Sequence, residues 1–138
     1  MLCTDLIFAV DSGKSSLLSA LLCLLPCHQG HILIDGIDTS TLDPESVRSR
    51  LNLVPQEPFL FEGTIRENVN PWKREVPEHT INKAFKRVEL YEKITALGGL
   101  DARLDDSLLS HGQRQLFCLA RALVREGNIL VLDEPTGQ

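Results

Sequence analysis

No apolar run in this sequence approaches the roughly 20 residues that a membrane-spanning helix needs. The longest, from Leu17 to Leu25, is far too short. Positive charge is also in short supply: 14 Lys and Arg against 19 Asp and Glu give a net charge of -5, so general nucleic-acid binding is not suggested. The N-terminus lacks a basic stretch ahead of its apolar residues, which argues against a secretory signal. Internal repeats and low-complexity segments are absent. Cysteines number only four, and Cys118 and Cys23 fall within apolar helix-like runs, where cysteine acts as a small hydrophobe. That usage fits a reducing compartment rather than a disulfide framework. Cys23, Cys27, His28 and His31 are ligand types that zinc accepts, but Pro26 interrupts the local helix and no second cysteine pair flanks them, so no metal site is expected there. What remains is ordinary: 43% hydrophobic and 24% charged residues, enough for one globular domain with a real core.

The stretch around which the chain is organised runs from Leu109 to Gln138. Leu109-Ser110-His111-Gly112-Gln113 reads as a polar turn. Gln115 to Glu126 carries Leu116, Leu119, Ala120, Leu123 and Val124 at helical spacing, which predicts an amphipathic helix. Gly127-Asn128 is expected to close that helix through a positive φ. Ile129-Leu130-Val131-Leu132 then reads as a buried parallel strand. Asp133-Glu134-Pro135 follows at once. Adjacent carboxylates at the tip of an apolar strand are costly unless a cation meets them. Two readings stand: a solvated corner, or a pair in which Asp133 helps hold Mg²⁺ and Glu134 acts on water. In open parallel α/β sheets, ligands bind at the carboxyl ends of the strands.

The beginning of the chain supplies the counterpart. Leu6 to Val10 is a candidate strand, Asp11-Ser12-Gly13-Lys14-Ser15-Ser16 a loop, and Leu17 to Leu25 a helix-like run ended by Pro26. Strand, loop and helix in that order form the context of a phosphate-binding loop. Such a loop needs backbone N–H groups and a helix N-terminus facing the phosphate, a lysine on the β- and γ-phosphates and a hydroxyl on Mg²⁺. Lys14 and Ser15 supply those side chains, and Ser16 is a further phosphate contact. The loop departs from its pattern, because Phe8 stands at the first glycine position and only Gly13 remains. A carboxylate at Asp11, about 4 Å from a phosphate charge, would cost on the order of 4 kcal/mol at an effective dielectric of 20.

Taken together, the Ser-x-Gly-Gln-x-Gln turn, the helix and LVLDEPT resemble the signature motif and Walker B strand of ATP-binding cassette (ABC) transporters. Gly-Lys-Ser-Ser then stands as a degenerate Walker A, with Asp11 where the family usually has another glycine, and LVPQEPFLF resembles the Q-loop. The resemblance spans residues 12–136. GTIRENVNPW, LDARLDDSLLSHGQRQLFCLARAL and the retained Glu134 look like the second cassette of the multidrug-resistance-associated C subfamily, of fungal type. It implies an α/β fold: a P-loop NTPase (RecA-like) core with an inserted helical subdomain, incomplete at both ends. The expected parts are residues 1–62 (first part of the core), 63–107 (helical subdomain) and 108–138 (signature motif, helix and Walker B strand). Residues Pro77 to Leu97 carry Ile81, Ala84, Phe85, Val88, Tyr91 and Ile94 on one helical face, broken near Glu89-Leu90 and ended by Gly98-Gly99.

The roles implied by the resemblance are specific. Ser12, Gly13, Lys14, Ser15 and Ser16 bind ATP; Ser15, Gln56 and Asp133 hold Mg²⁺; Glu134, with Gln56, handles the attacking water. Ser110, Gly112 and Gln113 close over ATP held by a second cassette packed head to tail. His111 departs from the commonest signature and is assigned no catalytic part. Phe59, Leu60 and Phe61 lie near the docking surface for the transmembrane domains of a transporter, at the cytoplasmic face of a membrane. The activity implied is Mg-ATP hydrolysis coupled to transport of a small organic solute. The alternative is a shortened, non-catalytic cassette that acts only as a binding or dimerisation module. It is motivated by Phe8, Asp11, an opening segment unlike the family's, and the absence from these residues of the D-loop and histidine switch.

Overall fold

The computed structural model describes residues 14–55, 57–72, 74–125, 127 and 129–132. The chain divides into two compact units, Met1–Arg50 and Leu51–Gln138.

The first unit contains helix α1 (Lys14–Leu21), a hairpin of β1 (Leu33–Ile34) and β2 (Ile37–Asp38), and helix α2 (Pro44–Arg50). The apolar run predicts a helix reaching Pro26, but α1 stops at Leu21. Cys23 adopts a left-handed φ of 54°. Its N–H bonds to the Ala20 carbonyl at 3.0 Å, and the Leu24 N–H reaches back to Ser19 O at 2.8 Å. This pair of bonds closes a helix end, and it leaves Leu24 and Leu25 exposed beyond the helix. The hairpin turns on Asp35 and Gly36, at φ 51° and 79°. Two positive values in succession match the tight turn that suits twisted strands. Asp43 caps α2, its Oδ2 accepting the Ser46 N–H at 3.0 Å, and Pro44 occupies the first helical position, where its missing N–H costs nothing.

The second unit has a parallel pair, β3 (Leu51–Val54) with β6 (Ile129–Leu132), in register from Leu51↔Ile129 to Val54↔Leu132. Helix α6 (His111–Val124) packs on β3. It also packs on α3 (Ile65–Val69) and α4 (Glu78–Arg87), with α5 (Tyr91–Ala96) against α4. The helical core is continuous, and Ile65, Ile81, Phe85, Leu90 and Phe117 are all buried in it. The Phe85 and Phe117 rings meet tilted, 5.3 Å between centroids. A short antiparallel bridge draws the ends of this helical excursion together: β4 (Gly63–Thr64) pairs with β5 (Arg103–Leu104). Strands of two residues carry no alternation, so the sequence offers no sign of the bridge.

Local chemistry explains the helix limits. Thr64 and Glu67 form a reciprocal capping box at the start of α3. The helical pattern over 77–97 breaks where expected: Glu89 has φ 59°, and Leu90 N–H returns to Phe85 O at 2.9 Å. Gly98 and Gly99, both at positive φ, end α5.

Four expectations about α6 and β6 need correction. The helix starts at His111, not Gln115, because Ser110 caps it. Its inward residues are Phe117, Ala120 and Val124 toward the helical core, with Cys118 and Ala122 against Val54. Leu116, expected on the apolar face, is 38% exposed. The helix ends at Val124 with Arg125 in extended conformation, and Gly127 is not at positive φ; Asn128 lies outside the described residues. Instead the Asn52 side chain, on β3, donates to the carbonyls of Ala122 at 3.1 Å and Arg125 at 3.3 Å. A neighbouring strand thus satisfies the helix end that a local glycine turn was expected to close. Finally, β6 is only half-buried: Leu130 is exposed, because among the described residues one helix covers one face of the pair.

Candidate functional site

The expected site residues fall in three places. Ser12, Gly13, Gln56, Asp133 and Glu134 lie outside the described residues, as do Phe8 and Asp11. Lys14 and Ser15 stand in the first turn of α1, and Ser16 follows, exposed. Ser110, Gly112 and Gln113 gather at the N-terminus of α6. The first group belongs to one unit and the second to the other.

At the start of α6, Ser110 Oγ accepts the Gln113 N–H at 3.2 Å, and Gln113 Oε1 accepts the Ser110 N–H at 3.0 Å. This capping box fixes the turn. It leaves the Ser110 hydroxyl proton and the N–H groups of His111 and Gly112 without intrahelical partners. A β-carbon added at Gly112 would meet nothing within 4 Å. The turn therefore presents an open backbone and a hydroxyl at the positive end of a 14-residue helix. These donors suit a phosphate oxygen and fit a triphosphate approaching from outside.

Asp133 and Glu134 follow β6 in the sequence and lie outside the described residues. Gln56 follows in the same way two residues after β3, whose last residue, Val54, pairs with Leu132. The pairing brings the ends of the two strands side by side.

A groove of about 360 Å³ opens between β3, α6 and the segments around residues 59–61 and 71–72. The sequence pointed to Phe59, Leu60 and Phe61 here. Phe59 is 64% exposed, Phe61 is half-buried beside it, and Leu60 packs into the helical core instead. Trp72, Arg121 and Arg125, which the sequence reading passed over, also line the groove. The Arg125 guanidinium lies over the Trp72 ring, 4.9 Å from its centroid.

Arg121 is the unusual member. Its Nε donates to the Asn68 carbonyl at 2.7 Å, while Nη2 is buried with no acceptor among the described residues. No carboxylate pairs with it there, and burial pushes its pKa down. The pKa of Arg125 is lowered too, by burial first and then by the like charge of Arg74. For Arg121, a buried ion with no counter-charge among the described residues, the cost is several kcal/mol. Asn68 holds the arrangement in place. Fully buried, it accepts from Phe61 N–H at 3.0 Å and donates to the carbonyls of Phe61 at 2.9 Å and Thr64 at 3.1 Å. For Arg121 the signal was present in the sequence: an arginine inside an apolar helix needs a partner.

Comparison with known proteins adds the following. Residues 11–137 match the family described as ABC transporter. The chain is 51% identical over 124 residues to "ABC transporter ecdL" of Aspergillus rugulosus, covering 90% of this chain and 8% of that protein. It is 47% identical over 127 residues to mouse "ATP-binding cassette sub-family C member 10", covering 91% and 8%. Among solved structures, "Structure of a bacterial Atm1-family ABC exporter with ATP bound" matches with a TM-score of 0.82 at 30% identity, covering 92% of this chain and 23% of that one. The chain thus spans about 8% of the length of the curated relatives it matches.

Proposed function

The chain belongs to the ABC transporter family, with the P-loop NTPase α/β fold and C-subfamily members among its relatives, and on that premise we propose that it is the second ATP-binding cassette of a C-subfamily exporter, binding Mg-ATP and coupling hydrolysis to movement of a small organic solute. The observation that carries this reading is the capped, open-backboned entrance of α6 at Ser110–Gly112, on the helix that leads into β6 and the Asp133-Glu134 pair. In this reading residues 1–62 and 108–138 make the nucleotide-binding core, and residues 63–107 the helical part.

The work divides among named groups. Ser12, Gly13, Lys14, Ser15 and Ser16 hold the phosphates at the start of α1. Glu134 takes the proton of the attacking water, and Gln56 orients that water. Ser15, Gln56 and Asp133 hold Mg²⁺, which when bound would neutralise the charge that builds on the phosphates. Ser110, Gly112 and Gln113 grip the nucleotide of a second cassette, paired head to tail. The groove at Phe59 and Trp72 receives the transmembrane domains at the cytoplasmic face of the membrane. No helix among the described residues is long and apolar enough to cross it.

Mg-ATP titration is the test. Lys14→Ala should abolish binding, while Glu134→Gln should keep binding and lose turnover. Titrations that do not change with Lys14→Ala would overturn the reading. Phe8 and Asp11 favour a second reading, in which the cassette pairs without hydrolysing. Binding without turnover in the unaltered chain would select it.

A further inference from the structure

We propose that the outward face of α4 binds an acidic peptide segment through Lys83, Lys86 and Arg87, with His79 at the N-terminal end of the same face. This goes beyond the nucleotide reading and does not depend on it.

Helix α4 has two opposed faces. At 3.6 residues per turn, Ile81, Ala84 and Phe85 cluster on one side, and all three are buried. His79, Lys83, Lys86 and Arg87 fall within an arc of about 100° on the other side, and all four are exposed. No carboxylate of α4 shares that arc. The one acidic residue of the helix, Glu78, lies off it and is taken up by Arg66 at 3.0 Å. Among the described residues none of the three cations makes an ion pair. The next carboxylates along the chain, Glu89 and Glu92, follow α4 and form no ion pair with it either. Lys86 leans on the Tyr91 ring, 4.6 Å from its centroid, which steadies the ammonium without neutralising it. The whole chain has a net charge of -5, so a face of pure positive charge runs against its composition.

The same features select the occupant. A membrane surface fits poorly, because α4 exposes no large apolar side chain to insert. Headgroup recognition also takes clusters of about four to eight Lys or Arg. Nucleic acid fits poorly with the net negative charge. An acidic peptide fits in sign and in spacing. Residues one turn apart, such as Lys83 and Arg87, are separated by about 6 Å along the helix axis. Alternate side chains of an extended segment repeat on one side about every 6.6 Å. Carboxylates at every second position would therefore meet His79, Lys83 and Arg87 in turn.

The probe is a fluorescein-labelled, end-blocked peptide that alternates glutamate with serine, beside its glutamine counterpart. Binding to the 138-residue chain is followed by anisotropy. The glutamate peptide should bind about tenfold or more tightly than the glutamine peptide at about 50 mM salt, and the difference should shrink by about 500 mM. Lys83→Glu should weaken the glutamate peptide about fivefold or more, by removing one attraction and adding one repulsion. Arg103→Glu makes the same change of charge at an exposed position on β5 and should leave binding nearly unchanged. Both substitutions are on the surface, so both variants should melt near the unaltered chain. Equal binding of the two peptides would overturn the proposal. Equal losses from Lys83→Glu and Arg103→Glu would overturn it too, by reducing the effect to net charge. Tighter binding to vesicles of phosphatidylcholine and phosphatidylserine than to the glutamate peptide would make a lipid surface the occupant, and would also overturn it.

Discussion

The side-chain amide of Asn52 occupies the space next to the α-carbon of Gly127: a β-carbon at residue 127 would stand 2.7 Å from Asn52 Nδ2. The same amide closes the end of α6 through the carbonyls of Ala122 and Arg125. Glycine is required here for close approach and not for an unusual φ. Gly127→Ala should therefore lower stability by about 1–3 kcal/mol, as overpacking does. Asn52→Ala should cost a similar amount, about 1–3 kcal/mol, by leaving buried carbonyls unpaired. The double variant should lose less than the sum of the two. Urea denaturation of all four proteins measures the coupling, and strict additivity would refute the contact.

The inward face of α6 can be tested by two substitutions one residue apart. Phe117 is fully buried against Phe85, whereas Leu116 is 38% exposed. Phe117→Ala should cost about 3–5 kcal/mol. Leu116→Ala should cost well under half of that. Thermal melts that ranked the two the other way would mean the helix is rotated from the orientation described.

Asn68→Ala removes the side-chain hydrogen bonds from α3 to the Phe61 N–H and to the carbonyls of Phe61 and Thr64. A loss of about 1–3 kcal/mol is expected from the stranded backbone groups. Faster amide exchange should appear first at Phe61. Exchange that changed uniformly over the whole unit would argue against a local clamp.

The Arg66–Asp101 pair gives a pH prediction. The Arg66 guanidinium holds the Asp101 carboxyl below its ordinary value of 3.8. A carboxyl depressed on folding contributes stability above its unfolded pKa, and that contribution is lost as pH falls through the folded value. The stability difference between the unaltered chain and Asp101→Asn should hold steady at neutral pH and shrink below about pH 4. Because both groups are exposed, the effect should be small and weakened by salt.

Ser110 has a structural duty and a proposed functional one, and a charged replacement separates them. Ser110→Asp keeps an N-cap acceptor, so the chain should melt near the unaltered temperature. Its carboxylate would face the phosphates of the opposing nucleotide. ATP-dependent pairing of cassettes, followed by sedimentation in the Glu134→Gln background, should be lost. Pairing that persisted would remove Ser110 from the nucleotide contact.

Much of this protein was legible without coordinates. The break at Glu89 and the glycine stop at 98–99 depend on the conformational limits of a few adjacent residues, which the sequence states directly. The resemblance to ABC cassettes likewise rested on short motifs in a fixed order. Contacts between distant residues were not legible. That Asn52 would close a helix beginning 59 residues later, that Gly63 and Thr64 would pair with Leu104 and Arg103, and that Arg121 would settle on the Asn68 carbonyl all depend on where the folded chain brings remote groups together. Local pattern fixes which residues form a helix. It does not fix the helix's rotation against its neighbours, so only the packed structure turned Phe117 inward, left Leu116 toward solvent and gathered two arginines in one groove.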